Sequence, residues 1–217
     1  MSDSNVTLFC VLTQLINRIA AACEAIESMA FIQRIFSLHQ IIPDLIDAGP
    51  AEIARIKYPS GAIAQVGNVL TPTQVREQPL IDWLADRDSY YTLFMLDPDV
   101  PSRAQPTFRS VCHWFVGNIP GCNVNKGDTR IAFIGSGPTQ DTGLHRYVFL
   151  IYKQNGKIDF SDSPRTSNRS HNSRSNFQHM DYVRRYGLAE LVAGNFYQAQ
   201  FDNYVPTLHA QLLSGTE

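Results

Sequence analysis

The sequence is poor in cysteine, and its few cysteines follow no spacing typical of a bound metal or a redox pair. Only four occur among the 217 residues, with no CxxC motif and no regular framework. This pattern argues against a disulfide-stabilised secreted scaffold. We therefore interpret the thiols as reduced and predict a cytoplasmic protein. The four are Cys10, Cys23, Cys112 and Cys122.

The sequence also lacks an excess of positive charge and a long apolar segment. The formal net charge is −2, so no global basic field favours nucleic acid as a partner. The apolar run Val6–Ile16 is too short to span a bilayer. Residues 1–5 contain Asp3 but no Lys or Arg, which is unusual for a signal peptide.

The apolar residues of this N-terminal segment recur at helical spacing. We predict an amphipathic helical extension over residues 1–28 that packs on the domain or on a partner. The alternative is a cleaved signal peptide and a secreted protein, which mass spectrometry of the mature N-terminus would distinguish. The residues on one helical face are Leu8, Leu12, Leu15, Ile16, Ile19, Cys23 and Ile26.

Common catalytic motifs are missing as well. The segment Gly135–Pro138 is neither a Walker loop nor a GxGxxG fingerprint, and Ser136 does not lie in a GxSxG elbow. No HExxH motif or close histidine pair supports a metal site. We therefore predict no catalytic residues, no cofactor and no metal. The rival hypothesis is an enzyme that uses acid–base groups drawn from Asp97, His113, His145 and Tyr147.

What the sequence does contain is a series of short strand-like segments between helical ends. Short helices are predicted at residues 29–40, at about 177–187 and at Pro206–Leu213. Strands dominate the middle of the chain, so the predicted class is mostly β with peripheral helices, in one domain over residues 29–217. The predicted strands are Ile53–Tyr58, Tyr90–Leu96, His113–Ile119, Arg130–Ile134, His145–Lys153 and Phe196–Phe201.

Two polar segments interrupt this pattern late in the chain. Gln154–Lys157 contains Asn-Gly and predicts a hairpin turn. Residues 161–176 contain no apolar side chain except Pro164, so we predict a solvated loop. Its arginines either serve solubility alone or contact an acidic partner. They are Arg165, Arg169 and Arg174.

Several segments carry side chains suited to ligand binding. The buried strand Tyr90–Leu96 runs directly into LDPDVPSR at 96–103, where prolines stiffen two carboxylates. Glycines at 135–137 allow a close backbone approach to a ligand. Strand alternation places His145 and Tyr147 on one face and Arg146 on the other.

Taken together, these motifs resemble the phosphatidylethanolamine-binding protein family, also called the Raf kinase inhibitor protein family. The similarity rests on DPDVPSR at 97–103 and GLHRY at 143–147, and it extends over about residues 38–213. It implies a large antiparallel sheet packed on a smaller sheet, with helices at the C-terminal side. It also implies a surface pocket for a phospholipid headgroup or another small phosphorylated anion, with peripheral membrane contact and modulation of signalling proteins. Some members of the family inhibit kinases or serine proteases, and others act as adaptors in signalling complexes, which leaves an inhibitor or adaptor with a secondary pocket as the alternative.

Matched residue by residue, the resemblance implies a specific ligand pocket and a cis Val100–Pro101 bond. This chain has Cys112 where the family usually has a histidine, and Val100 where it usually has alanine. We expect Cys112 to face away from the pocket, because adjacent strand residues point to opposite faces. The implied ligand-binding residues are Asp97, Asp99, His113, Pro138, His145, Tyr147 and Tyr197.

The paired carboxylates suggest how such a pocket is prepared for an anion. We hypothesise that Asp97 or Asp99 accepts a hydrogen bond from a histidine, with His113 as the favoured candidate, and so orients and charges the ring. The remaining carboxylate is then expected to meet an ammonium group of the ligand.

Overall fold

The computed structural model describes residues 3–188 and 190–215, with side chains from residue 13 onwards. Four α-helices and nine strands alternate with loops in these ranges. The helices are α1 (Asp3–Leu38), α2 (Ile41–Asp44), α3 (His179–Tyr186) and α4 (Val205–Leu213). The strands are β1 (Glu52–Ile53), β2 (Arg55–Lys57), β3 (Ile63–Ala64), β4 (Leu80–Asp82), β5 (Tyr90–Asp97), β6 (Val111–Pro120), β7 (Asp128–Ile131), β8 (His145–Lys153) and β9 (Glu190–Ala199), with a 3₁₀ turn at Val124–Lys126.

The strands form one large and one small sheet. The large sheet has six strands in the order β1-β9-β8-β5-β6-β7, and the small sheet has three in the order β3-β2-β4. All neighbours are antiparallel except β1, which runs parallel to β9. The expected fold class, mostly β with a large sheet packed on a smaller one and peripheral helices, is confirmed.

The central strands of the large sheet are buried on both faces, which explains their nearly continuous apolar sequence. One face packs on the small sheet, with Tyr91, Leu93 and Phe149 meeting Ile56 and Ile81 in one cluster. The opposite face is covered by the end of α1, α2 and α3, where Phe36 and Phe177 pack among the alternate residues of the same strands. At one end of the large sheet, the residues on the face toward the small sheet form the candidate site.

Helix α1 differs from the expectation of two separate helices. The helical extension and the short helix expected at 29–40 form one continuous helix that crosses residue 28. Its last turns are anchored to the domain by Ile32 and Phe36, whereas every residue from 13 to 31 is exposed. Among the described residues, no helix is long and apolar enough to cross a membrane. The division of the chain at residue 28 stays a prediction.

The hairpin expected at Gln154–Lys157 is wrong. β8 does end at Lys153, but the chain then leaves the sheet, forms α3 and returns only as β9, the antiparallel neighbour of β8. A turn-favouring Asn-Gly pair specifies a local reversal, and it does not determine whether a strand follows. The strand expected at Phe196–Phe201 corresponds to β9, which begins earlier, at Glu190, and ends at Ala199.

The loop at 161–176 has no helix or strand, as expected, but it is not simply solvated. The side chain of Arg174 is buried, and its guanidinium donates hydrogen bonds only to backbone carbonyl oxygens among the described residues. The loop therefore packs around the buried guanidinium group of Arg174. Arg165, by contrast, is exposed and pairs with Asp128 at 2.8 Å.

Candidate functional site

Three neighbouring strands bring the first candidate residues to one edge of the large sheet. Asp97 is the last residue of β5, and His145 is the first residue of its antiparallel neighbour β8. The β5–β8 register pairs Leu96 with Val148, and the β5–β6 register pairs Leu96 with Cys112. Antiparallel pairing therefore places the end of β5 beside the starts of β6 and β8.

A β-bulge in β6 determines the direction of His113. Met95 pairs with Trp114 and Leu96 with Cys112, which leaves His113 as the extra residue between them. The His113 imidazole makes an edge-to-face contact with the Tyr147 ring, and the two ring centroids are 5.1 Å apart. Cys112 packs in the cluster on the opposite face, so its predicted orientation away from the pocket is confirmed.

These strand ends open onto a small cavity of about 160 Å³. Polar groups from the strand ends and the 137–139 segment line one part of it, and apolar side chains, including two from α4, line the rest. The cis Val100–Pro101 bond expected from the resemblance is present. The lining residues are Asp97, Val100, Val111, His113, Ile134, Gly137, Pro138, Thr139, His145, Leu208, His209 and Leu212.

The histidine that pairs with a carboxylate is His145, and the expectation of His113 is wrong. His145 Nδ1 donates to Asp97 Oδ2 at 2.9 Å, and Asp97 Oδ1 accepts the backbone N–H of Asp99 at 2.8 Å. Although burial opposes charging, the hydrogen bond and negative charge of Asp97 raise the pKa of His145. Both residues are almost completely buried, so this pair is shielded from solvent.

Thr142 fixes the second proton of His145. Its hydroxyl donates to the carbonyl oxygen of Thr139 at 2.7 Å, which uses its single hydrogen. The 3.0 Å contact between Thr142 Oγ1 and His145 Nε2 is then a bond that the ring nitrogen donates. With Nδ1 donating to Asp97 and Nε2 donating to Thr142, we assign His145 as an imidazolium cation.

His113 has the opposite protonation. Its Nδ1 lies 3.0 Å from the carbonyl oxygen of Gly135 and 3.3 Å from that of Ile134. Carbonyl oxygens only accept hydrogen bonds, so Nδ1 carries the proton. Burial lowers the pKa of His113 to about 4, against the opposing charge of Asp97. At neutral pH the ring is therefore uncharged, and Nε2 is a hydrogen-bond acceptor.

Asp99 does not line the cavity, which corrects the expectation of two carboxylates in the pocket. Its carboxylate turns to the other side of the sheet and binds Arg146 through Nε at 2.8 Å and Nη2 at 2.6 Å. Arg146 also binds Asp44 of α2 and the backbone oxygen of His39. Asp99 thus joins a buried ion network that connects β8 to the helices.

Tyr147 and Tyr197 lie beneath the cavity and do not line it. Their rings stack at 5.2 Å, and both side chains are buried. The Tyr197 hydroxyl bonds Ser136 Oγ at 2.7 Å, whereas the Tyr147 hydroxyl makes no well-formed hydrogen bond. Burial raises the pKa of Tyr147, as does the nearby Asp97, so the phenol remains a neutral donor.

Sequence reasoning missed three contributions to this site. The first is Thr142, which has no motif signal beyond its place before His145. The second is α4, which was predicted as a helix but not as a wall of the cavity, and whose His209 Nε2 bonds the Gly137 oxygen at 3.0 Å. The third is Arg174, which binds the carbonyl oxygens of Cys112 and His113. Among the described residues, no group of side chains could hold a metal ion.

Comparison with known proteins gives one family over most of the chain. The family model described as phosphatidylethanolamine-binding protein matches residues 60–198. The putative odorant-binding protein A5 of Drosophila melanogaster is 38% identical over 186 residues, which cover 86% of this chain and 88% of that protein.

Solved structures show the same fold. The solution structure of CG7054 is 42% identical, covers 80% of this chain and 98% of its own, and superposes with a TM-score of 0.66. A carboxypeptidase Y inhibitor, solved in complex with its cognate proteinase, is 26% identical with a TM-score of 0.68, covering 82% of this chain and 97% of its own.

Proposed function

The chain belongs to the phosphatidylethanolamine-binding protein family, and from this premise we propose that its cavity binds the phosphorylated headgroup of a phospholipid or a similar small phosphate ester. The observation that carries the proposal is the His145 imidazolium, held by Asp97 at the cavity wall. A fixed cation beside a small cavity favours a phosphate oxygen, because little ordering entropy is lost on binding.

The size and lining of the cavity support a headgroup as the ligand. A volume of about 160 Å³ is smaller than a pocket for a drug-sized molecule. Val100, Leu208 and Leu212 present apolar surface next to the polar groups. An amphiphile with its phosphate at His145 and its apolar part toward α4 satisfies both regions.

The hydrogen-bonding groups define how the phosphate would be held. His145 Nε2–H can exchange Thr142 for a phosphate oxygen. Asp97 is the one acid among the lining residues, and its carboxylate is almost completely buried and already paired with the His145 cation. No lining carboxylate is therefore free for an ammonium group, and we expect phosphoethanolamine and phosphocholine to bind with similar affinity.

Asp97→Asn tests the central pair. The amide cannot hold His145 as a cation, so we expect the affinity for phosphoethanolamine to fall about 10- to 100-fold, the effect of losing a charge-assisted hydrogen bond. Isothermal titration calorimetry measures this change. Asp181→Asn, an exposed carboxylate that does not line the cavity, is the matched control and should bind normally.

Unchanged or tighter binding by the Asp97→Asn variant would contradict the proposal. Flotation with phosphatidylethanolamine vesicles and with phosphatidylcholine vesicles then distinguishes a lipid from a soluble ester. Recruitment to vesicles that is lost in the variant indicates a membrane lipid, whereas binding of phosphoethanolamine without recruitment indicates a soluble ligand.

The neutral His113 predicts a distinctive pH dependence. A phosphate monoester with a second pKa of about 6 carries a proton below that pH and can donate it to His113 Nε2. Its affinity should therefore rise as the pH falls from 8 towards 5.5, a range in which His113 stays uncharged because burial lowers its pKa to about 4. Calorimetry across this range measures the profile.

A phosphodiester provides the control for this profile, because it has no such proton. Glycerophosphoethanolamine should bind with nearly constant affinity between pH 5.5 and 8. Because His209 also lines the cavity, His209→Gln is measured in parallel and should retain the monoester profile. Identical profiles for the two ligands would show that His113 does not accept a proton from the ligand.

Inhibition of a proteinase is the second candidate function. It is favoured by the similarity to the carboxypeptidase Y inhibitor, which binds its cognate enzyme. Inhibition of carboxypeptidase Y that persists in the Asp97→Asn variant would favour this function over headgroup binding and place the inhibitory surface outside the cavity.

We also propose that the protein is not an enzyme and is cytoplasmic. The exposed free thiols of Cys23 and Cys122 support a reducing environment.

A further inference from the structure

A second, larger depression lies at the other end of the large sheet from the headgroup cavity. Strand β5 runs from Tyr90 at this depression to Asp97 at the cavity, and β6 runs from the cavity, near His113, to Pro120 at the depression. The eight residues of β5 therefore separate the two by about 20 Å. We call the depression the Arg130 groove. No residue lines both it and the cavity.

The Arg130 groove has the size of a small-molecule site. Its volume is about 890 Å³, within the range of about 300–1,000 Å³ that is usual for ligand pockets. Its lining also carries a local excess of two positive charges, although the net charge of the whole chain is −2. Such an excess attracts anions. The charged lining residues are Lys126, Arg130, Lys157 and Arg165, against Asp128 and Asp159.

The buried Arg130 is incompletely compensated. Only 5% of this residue is exposed, and a charge in such a position requires close partners. Nη2 donates to the carbonyl oxygen of Ser163, and Nη1 lies 3.4 Å from Asp128, but Nε has no hydrogen-bond partner within the described part of the chain. Asp128 also accepts a 2.8 Å bond from Arg165. Two arginines thus share one carboxylate, and an anionic ligand in the groove would complete their compensation.

The lysines of the groove are available to the same ligand. Lys126 and Lys157 are exposed, and across residues 13–188 and 190–215 their side chains have no ion-pair or hydrogen-bond partner. They belong to different turns, one at the end of the 3₁₀ turn and one after β8. Asp159, the other lining carboxylate, accepts the backbone N–H of Ser161 and pairs with neither lysine. Guanidinium and ammonium donors therefore border one groove.

These groups indicate the class of ligand. Arginine and lysine are the usual donors to phosphate oxygens, and a phosphate monoester has a charge of about −2 above pH 6, which matches the local excess. Most lining residues are polar or charged, which favours a hydrophilic group such as a sugar over a hydrocarbon chain. We propose that the Arg130 groove is a second ligand site, separate from the headgroup cavity, and that it binds the dianion of a hydrophilic phosphate monoester of about the size of a sugar phosphate.

Nuclear magnetic resonance titration of the full chain with glucose 6-phosphate tests this site. The backbone amides of Gly127 and Ile158 report on the Arg130 groove, and the amide of Gly137 reports on the headgroup cavity. We expect saturable shifts at Gly127 and Ile158, and no such shifts with glucose, which lacks the phosphate. Absence of saturable shifts at these two amides would overturn the proposal.

Lys126→Gln/Lys157→Gln tests which groups hold the ligand. Both side chains are exposed, so the fold should be retained, and the affinity read at the groove amides should fall about 10-fold or more. Arg55→Gln/Lys57→Gln is the matched control, because it removes the same two charges from exposed positions on β2. The control should bind as the parent does. Equal affinities for the two double variants would contradict a specific site.

The pH dependence separates this site from the headgroup cavity. The second pKa of the ester is about 6, so the dianion and the affinity at the Arg130 groove should increase about 4-fold between pH 5.5 and 8. No histidine lines the groove, whereas the monoester profile expected at the cavity runs in the opposite direction. Asp97→Asn should change the titration at Gly137 only. Affinity at Gly127 that falls with rising pH, or that is lost in Asp97→Asn, would overturn the second site without deciding the function of the cavity.

Vesicle flotation identifies the source of the ester. Phosphatidylinositol 4-phosphate presents a phosphate monoester on a hydrophilic ring at a membrane, in a background of phosphatidylcholine. Flotation of the parent protein that Lys126→Gln/Lys157→Gln abolishes would support a lipid-borne ester. Binding of glucose 6-phosphate without flotation would support a soluble one.

Discussion

Replacing Asp99 by asparagine is expected to lower the free energy of unfolding by about 3 kcal/mol or more. The Asp99 and Arg146 side chains are both completely buried and are joined by two short hydrogen bonds. Asparagine retains the shape of the residue but leaves the guanidinium without its principal counterion. Arg146 then keeps only Asp44, which is partly exposed, and the loss therefore lies at the lower end of the range for broken buried pairs.

Chemical denaturation measures this loss, and the exposed pair Arg55–Asp82 provides the comparison. Asp82→Asn removes the same charge from a contact of 4.0 Å between well-exposed side chains. Its effect should be below about 1 kcal/mol, as for other surface ion pairs. Equal effects for the two variants would show that the buried network does not depend on Asp99.

Arg174→Met is expected to destabilise the protein by about 3–5 kcal/mol and to weaken binding at the cavity. Arg174 donates to five backbone carbonyl oxygens, and each net hydrogen bond contributes about 1 kcal/mol. Burial lowers the pKa of this arginine to about 10, so it remains charged at neutral pH. Its bonds to Cys112 and His113 fix the start of β6, so their loss displaces the His113 imidazole.

Arg169→Met is the control, because Arg169 lies in the same loop but is exposed. Its unfolding free energy should stay within about 0.5 kcal/mol of the parent value, and its affinity for phosphoethanolamine should not change. If Arg174→Met behaved in the same way, the loop would contribute nothing to the site, and the solvated loop expected from the sequence would be correct.

Local sequence patterns predicted most of the strands and helices of the fold. The strand His145–Lys153 was predicted with its observed bounds, and Tyr90–Leu96 to within one residue, because both are rich in apolar and aromatic residues and contain no glycine or proline. The Asn-Gly turn after β8 failed as a hairpin signal, since the chain forms α3 before the next strand. The two N-terminal helices were predicted as separate, although no proline or glycine interrupts residues 3–38.

The sequence predicted several residues of the candidate site, but it did not predict the contacts between them. The motifs at 97–103 and 143–147 drew attention to Asp97 and His145, which do line one cavity. The hydrogen bond between these two side chains was not predicted, because it depends on the strand register that places the start of β8 beside the end of β5. The opposite directions of Asp97 and Asp99, two residues apart, arise after the strand ends, where strand alternation no longer applies.

By itself, the sequence determined the β-rich class and the buried strands, because periodicity and residue type act over a few neighbouring positions. Its resemblance to the family also supplied four of the residues that line the cavity, namely Asp97, His113, Pro138 and His145. Only the tertiary structure decided which histidine is charged, which carboxylate is internal and why Arg174 is buried. Protonation and burial depend on partners distant in the chain: Asp97 and His145 are 48 residues apart, and Arg174 and Cys112 are 62 apart. Such pairs meet only when the sheet is assembled.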